Sequence, residues 1–153
     1  VQGMADTVLG FDYGRRYIGI AVGQTLTGSS HALKSVTVPA SGRLPWPEIE
    51  AVCSEWAPAR LIVGLPCHLD GTEGDLAREA RDFASRLEEH LQRPVSLWNE
   101  ALSTEAARET LAHARQEGRQ RRPGRARLNA EAARTILEGW LAVPEHRSKD
   151  TSS

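Results

Sequence analysis

The chain is short of the residues that hold small folds together covalently or through a metal. Cysteine occurs only twice in 153 residues, at Cys53 and Cys67, with no Cys-x-x-Cys pair and no Cys/His spacing that would suit zinc. These counts argue against a disulfide framework and a structural zinc site, and both thiols are expected to be reduced, as in a cytosolic protein. Long apolar runs are missing as well. Nothing approaches the roughly 20 residues of a membrane helix, and the start carries no charged-then-apolar leader, so the expected setting is cytoplasmic with no membrane partner. Nor does either sign of charge prevail: 19 Lys and Arg against 20 Asp and Glu leave a net charge of -1. That balance argues against coating nucleic acid by bulk charge, and it shifts attention to where the arginines gather.

What is present suits one compact domain, expected over residues 4–143. Val1-Gln2-Gly3 ahead of Met4 reads as a remnant of expression cloning, and 144–153 as a polar, disordered tail. Val8-Leu9-Gly10-Phe11-Asp12 has the pattern of a buried strand, and Tyr17 to Val22 follows at hairpin distance. Leu33 to Val38 alternates as a third strand and completes a meander. Pro45-Trp46-Pro47 opens a helix, with Ile49, Val52, Cys53 and Trp56 at helical spacing before Pro58. Leu61-Ile62-Val63-Gly64 is wholly apolar, as in a strand covered on both faces, and is expected parallel to the first. Leu76 to Leu91 carries the stripe of a long amphipathic helix, and Val95 to Trp98 reads as the fifth strand. A helix is expected from Ser103 or Thr104 to about Ala114, and a last one from about Asn129 to Leu141. The class is therefore α/β, a mixed sheet covered by helices.

Three positions could carry chemistry. Asp12 ends the first strand beside Gly14; it reads either as a turn aspartate or as an acid with backbone room for a metal ion or phosphate. Glu100 directly follows the fifth strand and would share a sheet edge with Asp12 if the two strands are parallel, the alternative being a solvated strand-end acid. Asn129 falls on one helical face with Ala132, Ala133, Ile136, Leu137 and Trp140, so it points toward the sheet; capping the helix is its other possible duty. Between residues 116 and 127 apolar periodicity stops, Gly118, Pro123 and Gly124 interrupt, and Arg119, Arg121, Arg122, Arg125 and Arg127 cluster in what reads as a flexible basic loop. Guanidinium forks suit phosphate, which makes these arginines candidate nucleic-acid contacts, although many charge runs are only solvated. Gly64-Leu65-Pro66 and Asp70-Gly71-Thr72 read as a structural link between strand and helix.

From about Val8 to Leu141 the chain resembles the YqgF family, which is Holliday-junction-resolvase-like and associated with maturing the 5′ end of precursor 16S ribosomal RNA. The motifs that carry the likeness are Phe11-Asp12-Tyr13-Gly14 with Ile18 to Gly23, Ile62 to Pro66 with Asp70-Gly71, and Glu100 with Leu102-Ser103-Thr104. The resemblance implies a ribonuclease H-like fold with a five-stranded mixed sheet, and a nuclease site using Mg2+ or Mn2+. Asp12 and Glu100 would be its metal-binding carboxylates. Where the family has a third carboxylate this chain has Asn129, and where the family reads Asp-Glu-Arg it has Asn99-Glu100-Ala101. Weaker metal binding is the expected consequence.

Precursor ribosomal RNA is the favoured partner under this reading, with branched DNA cut by the same site as an alternative. A non-catalytic RNA-binding or ribosome-assembly factor is the reading from a different class. An actin- or sugar-kinase-type ATPase, which also uses Asp-x-Gly after a first strand, needs two such domains, and the length supplies one.

Overall fold

The computed structural model describes residues 7–66, 74–99 and 125–146. In chain order the elements are β1 (Thr7–Asp12), β2 (Tyr17–Gln24), β3 (Ser30–Thr37), α1 (Trp46–Trp56), β4 (Arg60–Leu65), α2 (Asp75–Leu91), β5 (Val95–Asn99), α3 (Arg125–Ala142) and a 3-10 turn (Pro144–His146). The five strands form one sheet in the order β3-β2-β1-β4-β5. β1, β2 and β3 make an antiparallel meander, whereas β4 joins β1 and β5 joins β4 in parallel.

The order of strands and helices expected from periodicity is the order observed, with corrections at element ends. β3 begins at Ser30 rather than Leu33 and slips register against Ile20/Ala21, so the alternation of this edge strand is interrupted. The last helix starts at Arg125 rather than Asn129. Arg125 and Arg127 therefore stand in a helical turn, not in a loop; Arg, Ala and Leu are good helix formers that continue a helix beyond its apolar stripe. Pro144–His146, expected to be disordered, forms a 3-10 turn: the His146 ring stacks 4.2 Å from Trp140, and its Nδ1 lies 2.8 Å from the Trp140 carbonyl oxygen. The helix expected near residues 103–114 lies outside the described residues.

Two cores sandwich the sheet. On one face α1 and α2 bury Ile49, Val52, Phe83 and Leu87 against Leu9, Phe11, Ile18, Ile20 and Val63. Both helices end the same way, with a residue in the left-handed region (Ala57, φ 44°; Gln92, φ 56°) whose N–H donates back to the last turn, just before Pro58 and Pro94. Cys53 is a buried free thiol and accepts from Arg93 Nε at 3.1 Å; Cys67 lies outside the described residues.

The opposite face is covered by α3, which packs Ala133, Ile136, Leu137, Trp140 and Leu141 on Val8, Ala21 and Ile62. Glycines on the sheet make this approach close. A Cβ on Gly10 would lie 2.5 Å from Leu137 Cγ, and one on Gly19 only 1.9 Å from the Asn129 carbonyl oxygen. The first obstacle is the end of a side chain; the second is helix backbone, which cannot turn aside.

Gly19→Ala should therefore push α3 off the sheet and cost about 1–3 kcal/mol, the usual range for overpacking, read as a lowered denaturant midpoint. Gly23→Ala, whose nearest obstacle is the Leu141 Cδ1 methyl at 3.0 Å, should cost less. The reverse order of midpoints would contradict the backbone contact.

Candidate active site

Side-chain alternation along β1 divides its residues between the two faces. Leu9 and Phe11 join the α1/α2 core, and the Tyr13 ring lies 5.1 Å from Phe83. Val8 and Gly10 meet α3. By the same alternation Asp12, half-buried at the end of the strand, shares the α3 face.

Asp12 is paired with Gly19 on β2, and Gly19 is the residue on which the Asn129 carbonyl rests. The structure thus brings Asp12 and the backbone of Asn129 to the same place. Gly19 also pairs with Ser35 on β3, so Ser35, Gly19 and Asp12 form one row across the sheet. Asn129, half-buried, lies four residues inside α3; the helix start at Arg125 removes it from capping duty. Contacts from Asn129 over Gly19 to Leu141 over Gly23 run α3 along β2, so its N-terminal portion lies toward the sheet edge at which β1 and its parallel neighbours β4 and β5 end. Open α/β sheets bind ligands at such ends, and a helix N-terminus adds partial positive charge there.

Glu100 lies outside the described residues. The strand it follows is parallel to β4, with Asn99 paired to Leu65, at the edge where β1 ends in Asp12. Arg119, Arg121 and Arg122 also lie outside the described residues, as does the Asp70-Gly71-Thr72 link. Among the described residues no group of three or more His, Cys, Asp and Glu gathers that could hold a metal ion. An Asp12 carboxylate and an Asn129 amide, if turned to this edge, would offer oxygens of the kind Mg2+ or Mn2+ prefers. They supply one negative charge where two carboxylates would supply two.

A second constellation flanks Asp12 on the α2 side and was not legible in the sequence. Arg15, in the turn after β1, grips Glu79 of α2 through three bonds, Nε to Oε1 at 3.0 Å and to Oε2 at 3.1 Å and Nη2 to Oε2 at 2.7 Å, and the Tyr13 hydroxyl donates to Glu79 Oε1 at 3.4 Å. The partners are 64 residues apart, beyond any local pattern. The Arg15 hydrogen bonds hold the Glu79 carboxyl below its usual range, and burial, reinforced by Glu79, pushes the Tyr13 phenol up from 10.0. Arg15 is exposed, so the pair positions the turn more than it stabilises the fold.

Because the Glu79 pKa is depressed on folding, its contribution is present above the unfolded value and fades as pH falls through the folded one. Arg15→Ala should return the Glu79 carboxyl toward the ordinary glutamate range in a carbon-detected NMR titration. An unmoved midpoint would show that the Arg15 bonds are not its cause.

Residues 6–143 match the model of the family described as RuvX, Holliday junction resolvase, and this is the family the YqgF motifs point to. A relative from Pseudomonas paraeruginosa, described as a provisional pre-16S rRNA nuclease, is 41% identical over 136 residues, covering 88% of this chain and 91% of that protein. One of the same description from Azotobacter vinelandii is 42% identical over 136 residues, covering 88% and 92%. Among solved structures, Thermus thermophilus RuvC in complex with a Holliday junction substrate aligns with a TM-score of 0.55 at 16% identity, covering 94% of this chain and 98% of RuvC. That likeness establishes the ribonuclease H-like fold. With the family model spanning residues 6–143 and relatives above 40% identity over most of both chains, the chain belongs to the RuvX family.

Proposed function

We propose that this protein is a nuclease dependent on a divalent cation, Mg2+ or Mn2+, that hydrolyses phosphodiester bonds at the 5′ end of precursor 16S ribosomal RNA in the cytoplasm, with residues 4–143 working as one domain. The observation that carries the reading is the row at the sheet edge: Asp12 paired with Gly19, and Gly19 covered by the backbone of Asn129. Among the described residues no helix is long and apolar enough to cross a membrane.

A cation held at this edge would supply positive charge against the phosphoryl oxygens and an acidified water. Asp12 provides the charge that attracts it, and its place on a paired strand fixes the carboxylate before substrate arrives. Glu100, next after β5, is proposed as the second carboxylate. Asn129 offers an oxygen without a charge, so cation affinity and turnover should both be lower than with aspartate there. The positive end of α3 faces the scissile phosphate, and Arg119, Arg121, Arg122, Arg125 and Arg127 are proposed to hold the flanking strand.

The substitutions Asn99, Ala101 and Asn129 favour one other reading, an RNA-binding assembly factor that does not cut. The two separate cleanly. With a precursor leader and Mn2+, the chain as it stands should cleave slowly, Asp12→Asn should lose at least about a hundredfold, since even outer-shell changes at metal sites cost that much, and Asn129→Asp should gain about tenfold, worth about 1.4 kcal/mol. No cleavage by any of the three, together with RNA binding lost on replacing Arg121, Arg122 and Arg125, would establish the non-catalytic role. Branched DNA as competitor tests the third possibility.

Trp98 offers a direct readout of occupancy, since it lies on β5 close to the proposed edge and its ring packs against Gly139 of α3. Mn2+ should change its fluorescence in the native chain and not in Asp12→Asn. A response unaffected by that substitution would place the ion elsewhere.

A further inference from the structure

Beyond Gly19 the row Asp12–Gly19–Ser35 leads away from the proposed cleavage edge to the outer strand of the sheet. There, between β3 and α3, lies an open cleft of about 670 Å³, lined among others by His31, Lys34, Ser35, Glu131 and Arg134. Ser35 stands two strands from Asp12, which at about 4.8 Å per strand is roughly 10 Å. Three nucleotides of a stacked strand span that distance, at about 3.4 Å each.

The polar groups of the cleft are mismatched in a telling way. Ser35 Oγ and Arg134 Nε are both shielded from solvent and find no hydrogen-bond partner among the described residues. The remaining guanidinium nitrogens of Arg134 are held by Glu131 at 3.4 Å and Glu138 at 3.6 Å, so the acids near the cleft are already engaged. Lys34 pairs with Ile20 of the α1/α2 core and alternates with Ser35, so its exposed side chain leaves on the opposite face of the sheet. A guanidinium group only donates, and a hydroxyl donates as readily as it accepts. What the cleft lacks is therefore an acceptor, preferably a charged one, and phosphate oxygens answer that need better than a peptide strand, which would bring its own donors.

We propose that the cleft between β3 and α3 binds the phosphodiester backbone of the substrate strand about three nucleotides from the cleaved bond, with Ser35 and Arg134 donating to its oxygens. The assignment rests on reading the Asp12 edge as the cleavage site. It invokes none of the arginines of residues 119–127, and it sets a minimum substrate length, because a fragment too short to reach the cleft forfeits its contacts.

The test measures binding without turnover. The full chain is titrated in EDTA, over a series of salt concentrations, against fluorescein-labelled single-stranded 20-nucleotide RNA and DNA of one sequence, with fluorescence anisotropy as the readout. Arg134→Gln should weaken binding about two- to tenfold and lower the salt slope by about one, the signature of one lost phosphate contact. Ser35→Ala should weaken it with the slope unchanged. Arg86→Gln, on the exposed side of α2 and paired with Asp82 of the same helix, serves as the control for loss of a positive charge elsewhere. Arg134 is partly exposed, so the fold should be retained, and unchanged thermal melts check that.

Wild-type affinity and slope in both cleft variants would overturn the proposal, as would an equal loss in Arg86→Gln. A loss confined to RNA would overturn the phosphate assignment in favour of 2′-hydroxyl contacts. If the cleft variants lose binding while the unaltered chain never cleaves, the cleft stands as a backbone site and the nuclease reading falls. If the unaltered chain cleaves and Arg134→Gln binds as it does, the cleft alone is refuted.

Discussion

Everything at the proposed site depends on how closely α3 lies on the sheet. Helix backbone can approach strand backbone to this degree only where no Cβ intervenes, and Gly19 supplies that gap directly beneath the Asn129 carbonyl. Gly10 and Gly23 extend the seat for Leu137 and Leu141 along the same two strands. The seat fixes the height, direction and register of the helix together. It therefore decides that an inward residue of α3 stands over the partner of Asp12 rather than a turn further along.

The same contact shapes the electrostatics. With a net charge of -1 the molecule has no bulk field to attract a polyanion, so attraction has to be local. The amino-terminal part of α3 and Arg134 beside the cleft lie on the same face of the sheet as the row that begins at Asp12. On the far side of β1, Glu79 is occupied by Arg15 and Tyr13. That arrangement keeps a second carboxylate engaged on the α2 side and ties the turn carrying Tyr13 and Arg15 to α2. The turn is thereby held still beside the acid it follows.

Much of the architecture was legible because the signals are periodic and local. β4 is a continuous apolar run since it is covered on both faces, and α2 shows its stripe because only one face meets the core. Asp12 could be placed at a strand end from the pattern around it. The start of α3 was not legible: apolar periodicity marks where a helix is buried, and Arg125 to Leu128 continue the helix on propensity ahead of the buried face. His146 stacking on Trp140 escaped notice for a related reason, since composition makes such a segment look like a tail until an aromatic partner is near. The tie from Arg15 to Glu79 joins segments that have no local relationship.

The sequence by itself determined the kinds and order of the elements, the alternation that turns Asp12 away from Phe11, and the chemical poverty of Asn129 compared with an aspartate. Those properties belong to single residues and their near neighbours, so they are present before the chain folds. Only the tertiary structure decided that Ser35, Gly19 and Asp12 share a row, that α3 crosses that row at Asn129, and that a polar cleft opens between α3 and the edge strand. Strand pairing and helix seating are set by packing across the whole sheet, where a single β-carbon at Gly19 would outweigh any local preference.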